Sequence, residues 1–211
     1  MTDRTIAMFP LGMVLFPHTP LAARIFEERY LKMLGTLLDE QPAEFGVVLI
    51  ERGHEVGGGE KRFARGAVAR LERVLPQQGV ISVLARGGSR FEVEEWLDDA
   101  PYPRARVRML PDLDWNDALT PLSSEAEKIV RRVLARAGEY GDTRWEPDIE
   151  LAEEPLARAW QIAAIAPLGP IDQLALLGAT SVGGLLREVI DLTLAAEELL
   201  AVRGVDEEPF E

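Results

Sequence analysis

The sequence has no cysteine, only two histidines, and only three lysines, at positions 32, 61 and 128. Without cysteine there is no disulfide, no thiolate zinc site and no thiol nucleophile, a usage expected of a cytoplasmic protein. His18 and His54 are isolated. His54-Glu55 has no second histidine four residues on, as the helical zinc-protease motif requires. No metal and no cofactor are therefore expected. No apolar run approaches the roughly 20 residues that span a bilayer. Met1-Thr2-Asp3-Arg4 does not open a secretory signal, so no membrane association is expected either.

What is present fits a folded globular protein. The chain has 211 residues, 47% hydrophobic and 28% charged, enough for one or two domains with a substantial core. The net charge of −13 is unevenly placed. Residues 1–110 carry 15 basic and 15 acidic side chains, and residues 111–211 carry 8 and 21. The acidic half repels phosphate backbones, so no nucleic-acid partner is expected.

The first half reads as strands. Met8 to Phe16 is apolar and interrupted by Pro10 and Gly12; Phe45 to Ile50 is too short for a helix. Gly66–Leu75, Val80–Ala85, Arg90–Trp96 and Arg104–Leu110 follow. Pro76 to Gly79, Gly87-Gly88 and Pro101/Pro103 are read as their separators. Gly53 to Gly59 holds four glycines and reads as a loop. One helix interrupts the series at about Glu27–Asp39, with Tyr30, Leu31, Leu34, Leu37 and Leu38 on one face. Arg104, Arg106 and Arg108 alternate with Ala105, Val107 and Met109, the period of a strand with one buried side. Residues 111–120 read as a linker. Helices then start at Thr120-Pro121, Pro155, Pro170 and after Ser181, with apolar stripes at bundle spacing. Leu199 falls on the stripe of the last.

The opening motifs carry a family resemblance. Phe9-Pro10-Leu11-Gly12-Met13-Val14-Leu15-Phe16-Pro17, Pro20-Leu21 and the box Phe26-Glu27-Glu28-Arg29-Tyr30 resemble the start of the LON substrate-binding domain, the N-terminal domain of ATP-dependent Lon proteases. Gly66 to Leu71, Gly88 to Val93, and Pro101-Tyr102 with Ala105 and Val107 resemble later motifs of that family, in order. The resemblance covers about residues 6–203. It is weaker in the helical half, where Gly183-Gly184 stands at a usual Arg-Leu. It implies an α+β fold, a PUA-like β-barrel subdomain followed by a C-terminal helical bundle. The expected boundaries are 1–110 for the barrel, 111–120 for the linker, 121–204 for the bundle and 205–211 for an acidic tail. It further implies a protein that recognises polypeptide, as an adaptor or regulator of proteolysis. A PUA-like RNA-binding protein is the alternative.

No catalytic machinery is legible. The string Gly57-Gly58-Gly59-Glu60-Lys61-Arg62 lacks the glycine before lysine and the hydroxyl residue after it that a phosphate loop needs. The Lon ATPase and Ser-Lys protease modules are absent, so a non-enzymatic LON domain standing alone is expected. Ser124 and Lys128 lie four apart on a predicted helix, but a helix-start serine with Glu127 as capping partner accounts for them. The Arg104/Arg106/Arg108 face is either an anion surface or a cross-strand partner of Glu92 and Glu94. Within the box, Phe26, Glu27, Arg29 and Tyr30 are expected to be structural, with Arg29 paired to a carboxylate or to carbonyls. Polypeptide is expected to contact Phe16, Leu21, Phe63 and Trp115, at the barrel lip and in a groove between barrel and bundle.

Overall fold

The computed structural model describes residues 3–55, 58–77, 80–141 and 143–206. Gly57 of the glycine-rich string, Gln78 and Gly79 of the predicted turn, and residues 207–211 of the predicted tail lie outside them. The chain forms two compact units, Met1–Asp112 and Leu113–Glu211.

Among the described residues the first unit holds six strands and one helix: β1 (Asp3–Leu11), β2 (Pro20–Ile25), α1 (Glu28–Leu38), β3 (Glu44–Arg52), β4 (Lys61–Gln77), β5 (Val80–Trp96) and β6 (Arg104–Met109). The strand order is β2-β5-β4-β3-β1-β6, and β5 also pairs with β6. That extra pairing closes β1, β3, β4, β5 and β6 into a ring. β1 and β3 are parallel and the other pairs antiparallel. The fold class is α+β, with a small barrel followed by helices.

The period of two along each strand divides the apolar side chains between two cores. Ile6, Met8, Val48, Val68, Phe91, Ala105 and Val107 pack inside the ring. Phe9, Leu11, Phe45, Val47, Ala67 and Ala69 face the other way, against α1 and β2. The interior is narrow. A Cβ at Gly66 would lie 2.1 Å from the Val47 carbonyl oxygen and 2.8 Å from the Phe91 ring, so glycine is what admits that ring. On α1 the buried residues are Tyr30, Met33, Leu34 and Leu37. Leu38, expected on that face, is half exposed; it is the last helical residue, past the edge of the sheet contact.

One expected separator is different in the structure. Val80–Ala85 and Arg90–Trp96 are one strand, and Gly87-Gly88 lies inside it. Gly87 pairs across to the Pro17–Pro20 turn: His18 donates to its carbonyl at 2.8 Å and it donates to the Thr19 carbonyl at 2.9 Å. The glycine marks a close backbone approach within a strand, not a turn. β2 was not anticipated at all, because six residues beginning at a proline show little alternation.

Among the described residues the second unit holds a 3-10 turn (Asp117–Leu119) and four helices: α2 (Thr120–Gly138), α3 (Pro155–Ile165), α4 (Pro170–Leu177) and α5 (Val182–Asp206). Proline occupies the first turn of α2, α3 and α4, where its missing N–H costs nothing. Ser181 accepts from the Gly184 N–H at 3.1 Å and so caps α5. Ile129, Val130, Val133, Trp160, Ile162, Leu185 and Val189 make the core. Glu127 joins α2 to α3 by accepting from Arg131 and Arg158, both at 2.8 Å; it does not cap Ser124, whose hydroxyl donates to the Thr120 carbonyl. Leu199, expected on the apolar stripe, is exposed. Among the described residues no helix is long and apolar enough to cross a membrane.

Candidate functional site

The box 26–30 sits where β2 hands over to α1. Ile25 ends β2 facing the core, so the next side chain turns outward. Phe26 is 51% exposed. Glu27 is the N-cap of α1, with extended backbone and no side-chain cap bond. Its carboxylate instead accepts from the Arg29 Nε at 3.2 Å.

Arg29 is the hub. Its guanidinium lies 4.4 Å from the centre of the Tyr30 ring, a cation–π distance. Its Nη2 donates to the Glu55 carbonyl at 3.4 Å. Glu55 in turn accepts from the Gly12 N–H at 2.5 Å, tying the loop after β3 to the end of β1. Tyr30 is buried, edge-on to Phe9 at 4.6 Å. Its hydroxyl has no hydrogen-bond partner among the described residues, and burial holds its pKa well above the ordinary tyrosine value. Phe9, Leu11, Ile25, Phe26 and Tyr30, with Arg24, Glu27 and Glu55 at the rim, line a shallow pocket of about 40 Å³. The result is an exposed aromatic ring over an apolar floor with a charged rim.

The expected contact residues are placed differently. Phe16 and Leu21 are each 1% exposed and belong to the core. Phe16 enters the proline-rich turn and Leu21 follows it on β2; the turn folds inward because the Phe16 carbonyl accepts from the Thr19 hydroxyl at 2.7 Å and the backbone lies against Gly87. They offer no surface to a partner. Phe63 and Trp115 are half-buried, and the Trp115 indole donates to Asp117 at 3.0 Å. Phe26, expected to be structural, is the aromatic member of the box that is exposed, beside the exposed Glu28. The signal that finds it is register: Ile25 inward on β2 puts residue 26 outward.

A second polar cluster was not anticipated. Arg62 is held between Glu60, at 2.7 Å, and Asp99, at 2.6 Å, with Trp96 beneath it at 4.8 Å. Burial opposes its charge, and the two carboxylates outweigh that and raise its pKa. Glu60 and Arg62 belong to the glycine-rich string, which leads into β4. A phosphate loop leads into a helix, so the string is not one. Ser124 and Lys128 are both exposed, which gives the lysine no desolvation to activate it. Of the arginine stripe, Arg106 pairs with Glu95 at 2.7 Å and Arg108 with Glu92 and Glu94.

The family model of the ATP-dependent protease La (LON) substrate-binding domain matches residues 5–194. The Lon protease of Koribacter versatilis is 31% identical over 136 residues, covering 62% of this chain and 16% of that protein. That of Heliobacterium modesticaldum is 24% identical over 143 residues, 66% and 17%. The chain thus spans about one sixth of the length of the curated relatives it matches. Among solved structures, a Lon N-terminal domain protein from Xanthomonas campestris aligns with a TM-score of 0.62 at 24% identity, covering 89% of this chain and 98% of that one. The N-terminal domain of a Mycobacterium avium complex Lon protease aligns with the same TM-score at 15% identity, covering 90% and 98%.

Proposed function

The chain belongs to the LON substrate-binding domain family, and on that premise we propose that it is a non-catalytic module that captures polypeptide segments as an adaptor or regulator of proteolysis. The observation that carries this reading is Phe26: a large ring held half in solvent, beside a pocket floored by Phe9, Leu11, Ile25 and Tyr30. Exposed aromatic area over a fixed apolar floor is what an unfolded segment can bury. The floor is rigid, because Arg29 clamps Tyr30, Glu27 and the Glu55 carbonyl together. The rim carries acidic Glu27 and Glu55 and basic Arg24, so side chains of either charge find a partner there.

The RNA-binding alternative is weaker. It needs a free basic face, and Arg106 and Arg108 are engaged by carboxylates of β5 in a chain of net charge −13.

The test is a titration of the protein into a dye-labelled, reduced and carboxymethylated polypeptide, followed by fluorescence anisotropy. Saturable binding that the folded form of the same polypeptide does not compete supports the reading. Absence of binding, with structured RNA bound instead in a salt-sensitive way, overturns it.

A further inference from the structure

β4 outruns its neighbour on one side. β3 pairs with β4 only as far as Glu44 opposite Arg70, whereas β5 pairs with it to Gln77. After the bond from the Leu71 N–H to the Ala43 carbonyl, at 2.9 Å, no described strand lies on that side of β4. A bulge between Leu71 and Arg73 shifts the alternation by one residue. Val74 and Pro76 therefore point the way Leu71 does, away from β5. Pro76 fits this placement, since a proline inside a strand belongs where no ladder bond is needed. Val74 is left presenting an N–H and a carbonyl, and Pro76 a carbonyl, to an open edge.

The edge borders a groove. Leu38, Pro42, Ala43, Leu71 and Val74 supply the apolar wall of a cavity of about 500 Å³, which Arg70, Glu72 and Arg73 also line. On the opposite face of the strand Leu75 is half exposed. Beside it the exposed Arg73 makes no ion pair with any described residue, although Arg70, Glu72 and Arg86 nearby are all paired. A strand added here would set alternate side chains against the apolar wall of the groove and toward Arg73 at its border.

Resting on the reading that the first unit binds polypeptide, we infer that the β4 edge at Val74–Pro76 is a second docking site. Its occupant is a short extended segment that adds as a strand and alternates apolar with acidic residues. Backbone pairing supplies the general affinity, the groove selects the apolar side chains, and Arg73 selects the acidic ones. The bulge at one end and Pro76 at the other restrict pairing to a few residues and keep the edge from joining whole sheets.

The probe is the blocked peptide Ac-Thr-Val-Asp-Leu-Asp-Val-Thr-NH2, in three forms: unmodified, N-methylated on Val and Leu, and N-methylated on Asp. Only one of those sets faces β4, so one methylated form should lose about tenfold or more in affinity while the other keeps it. On the protein, Val74→Pro deletes a donor that no ladder bond uses and should weaken the peptide about tenfold with the fold intact. Arg73→Glu should reverse the preference toward a peptide with Lys in place of Asp. Phe26→Ser should leave this peptide unaffected. Equal affinities for the two methylated forms, or no binding of the unmodified peptide, overturn the edge site. Capture of the carboxymethylated polypeptide that is lost only in Phe26→Ser would then leave the Phe26 reading standing alone.

Discussion

The guanidinium of Arg29 lies 4.4 Å from the centre of the neighbouring Tyr30 ring, and the same guanidinium ties α1 to the loop after β3 through the Glu55 carbonyl. Arg29 also holds Glu27 and the Glu55 carbonyl. Arg29→Ala should cost about 1–2 kcal/mol, since it removes a partly buried cation–π contact and charge-assisted bonds together. Arg29→Lys should recover only part of this, because an ammonium cannot reach all three partners at once. Chemical denaturation of the two variants, read at a common temperature, checks both.

The two phenylalanines ten residues apart should behave oppositely. Phe16→Ala empties a core position and should destabilise by about 3–5 kcal/mol. Phe26→Ser removes an exposed ring and should stay within about 0.5 kcal/mol of the parent. Parallel denaturation curves decide this, and a large loss in Phe26→Ser would mean the ring is structural after all.

A Cβ at position 87 would lie 2.0 Å from the Phe16 carbonyl oxygen. The clash is with backbone held by hydrogen bonds on both sides, so it cannot be relieved by a rotamer change. Gly87→Ala should cost about 2 kcal/mol or more and shift the amide resonances of both the Pro17–Pro20 turn and β5. Gly59→Ala, with nothing within 4 Å, should be affected only through its positive φ.

Glu92 sits between Arg65, at 2.8 Å, and Arg108. The Arg65 hydrogen bond, then the charges of both arginines, hold its carboxyl below the ordinary value of 4.5 despite partial burial. A carboxylate with a depressed folded-state pKa stabilises fully above its unfolded value and loses that contribution as pH falls through the folded value. Glu92→Gln should therefore cost about 1 kcal/mol at neutral pH, a surface network's worth. The gap to the parent should close as the pH is lowered below 4.5. A gap independent of pH would contradict the assignment.

The sequence made the α+β class and the family legible, because both rest on features local in the chain. Proline at helix starts, period-two arginines in β6 and the ordered motifs around Phe26-Glu27-Glu28-Arg29-Tyr30 are readable without knowing what packs on what. What was not legible depends on long-range contact. Gly87 looks like a separator until the Phe16 backbone is seen against it. Phe16 and Leu21 look like lip residues until the turn is seen to fold inward. Phe26 shares its box with buried Tyr30, and only the register of β2 tells the two apart. Leu38 and Leu199 continue apolar stripes past the ends of the surfaces that would cover them.

The most direct test of polypeptide capture is the affinity of Phe26→Ser for the carboxymethylated polypeptide, measured beside the parent and beside Leu199→Ser as an exposed apolar control in the second unit. Truncating an interface aromatic costs about 1–2 kcal/mol or more, so the account predicts a loss of about fivefold to thirtyfold in Phe26→Ser. It predicts parent-like binding in Leu199→Ser and unchanged thermal unfolding in both. Parent-like affinity in a folded Phe26→Ser protein would contradict it.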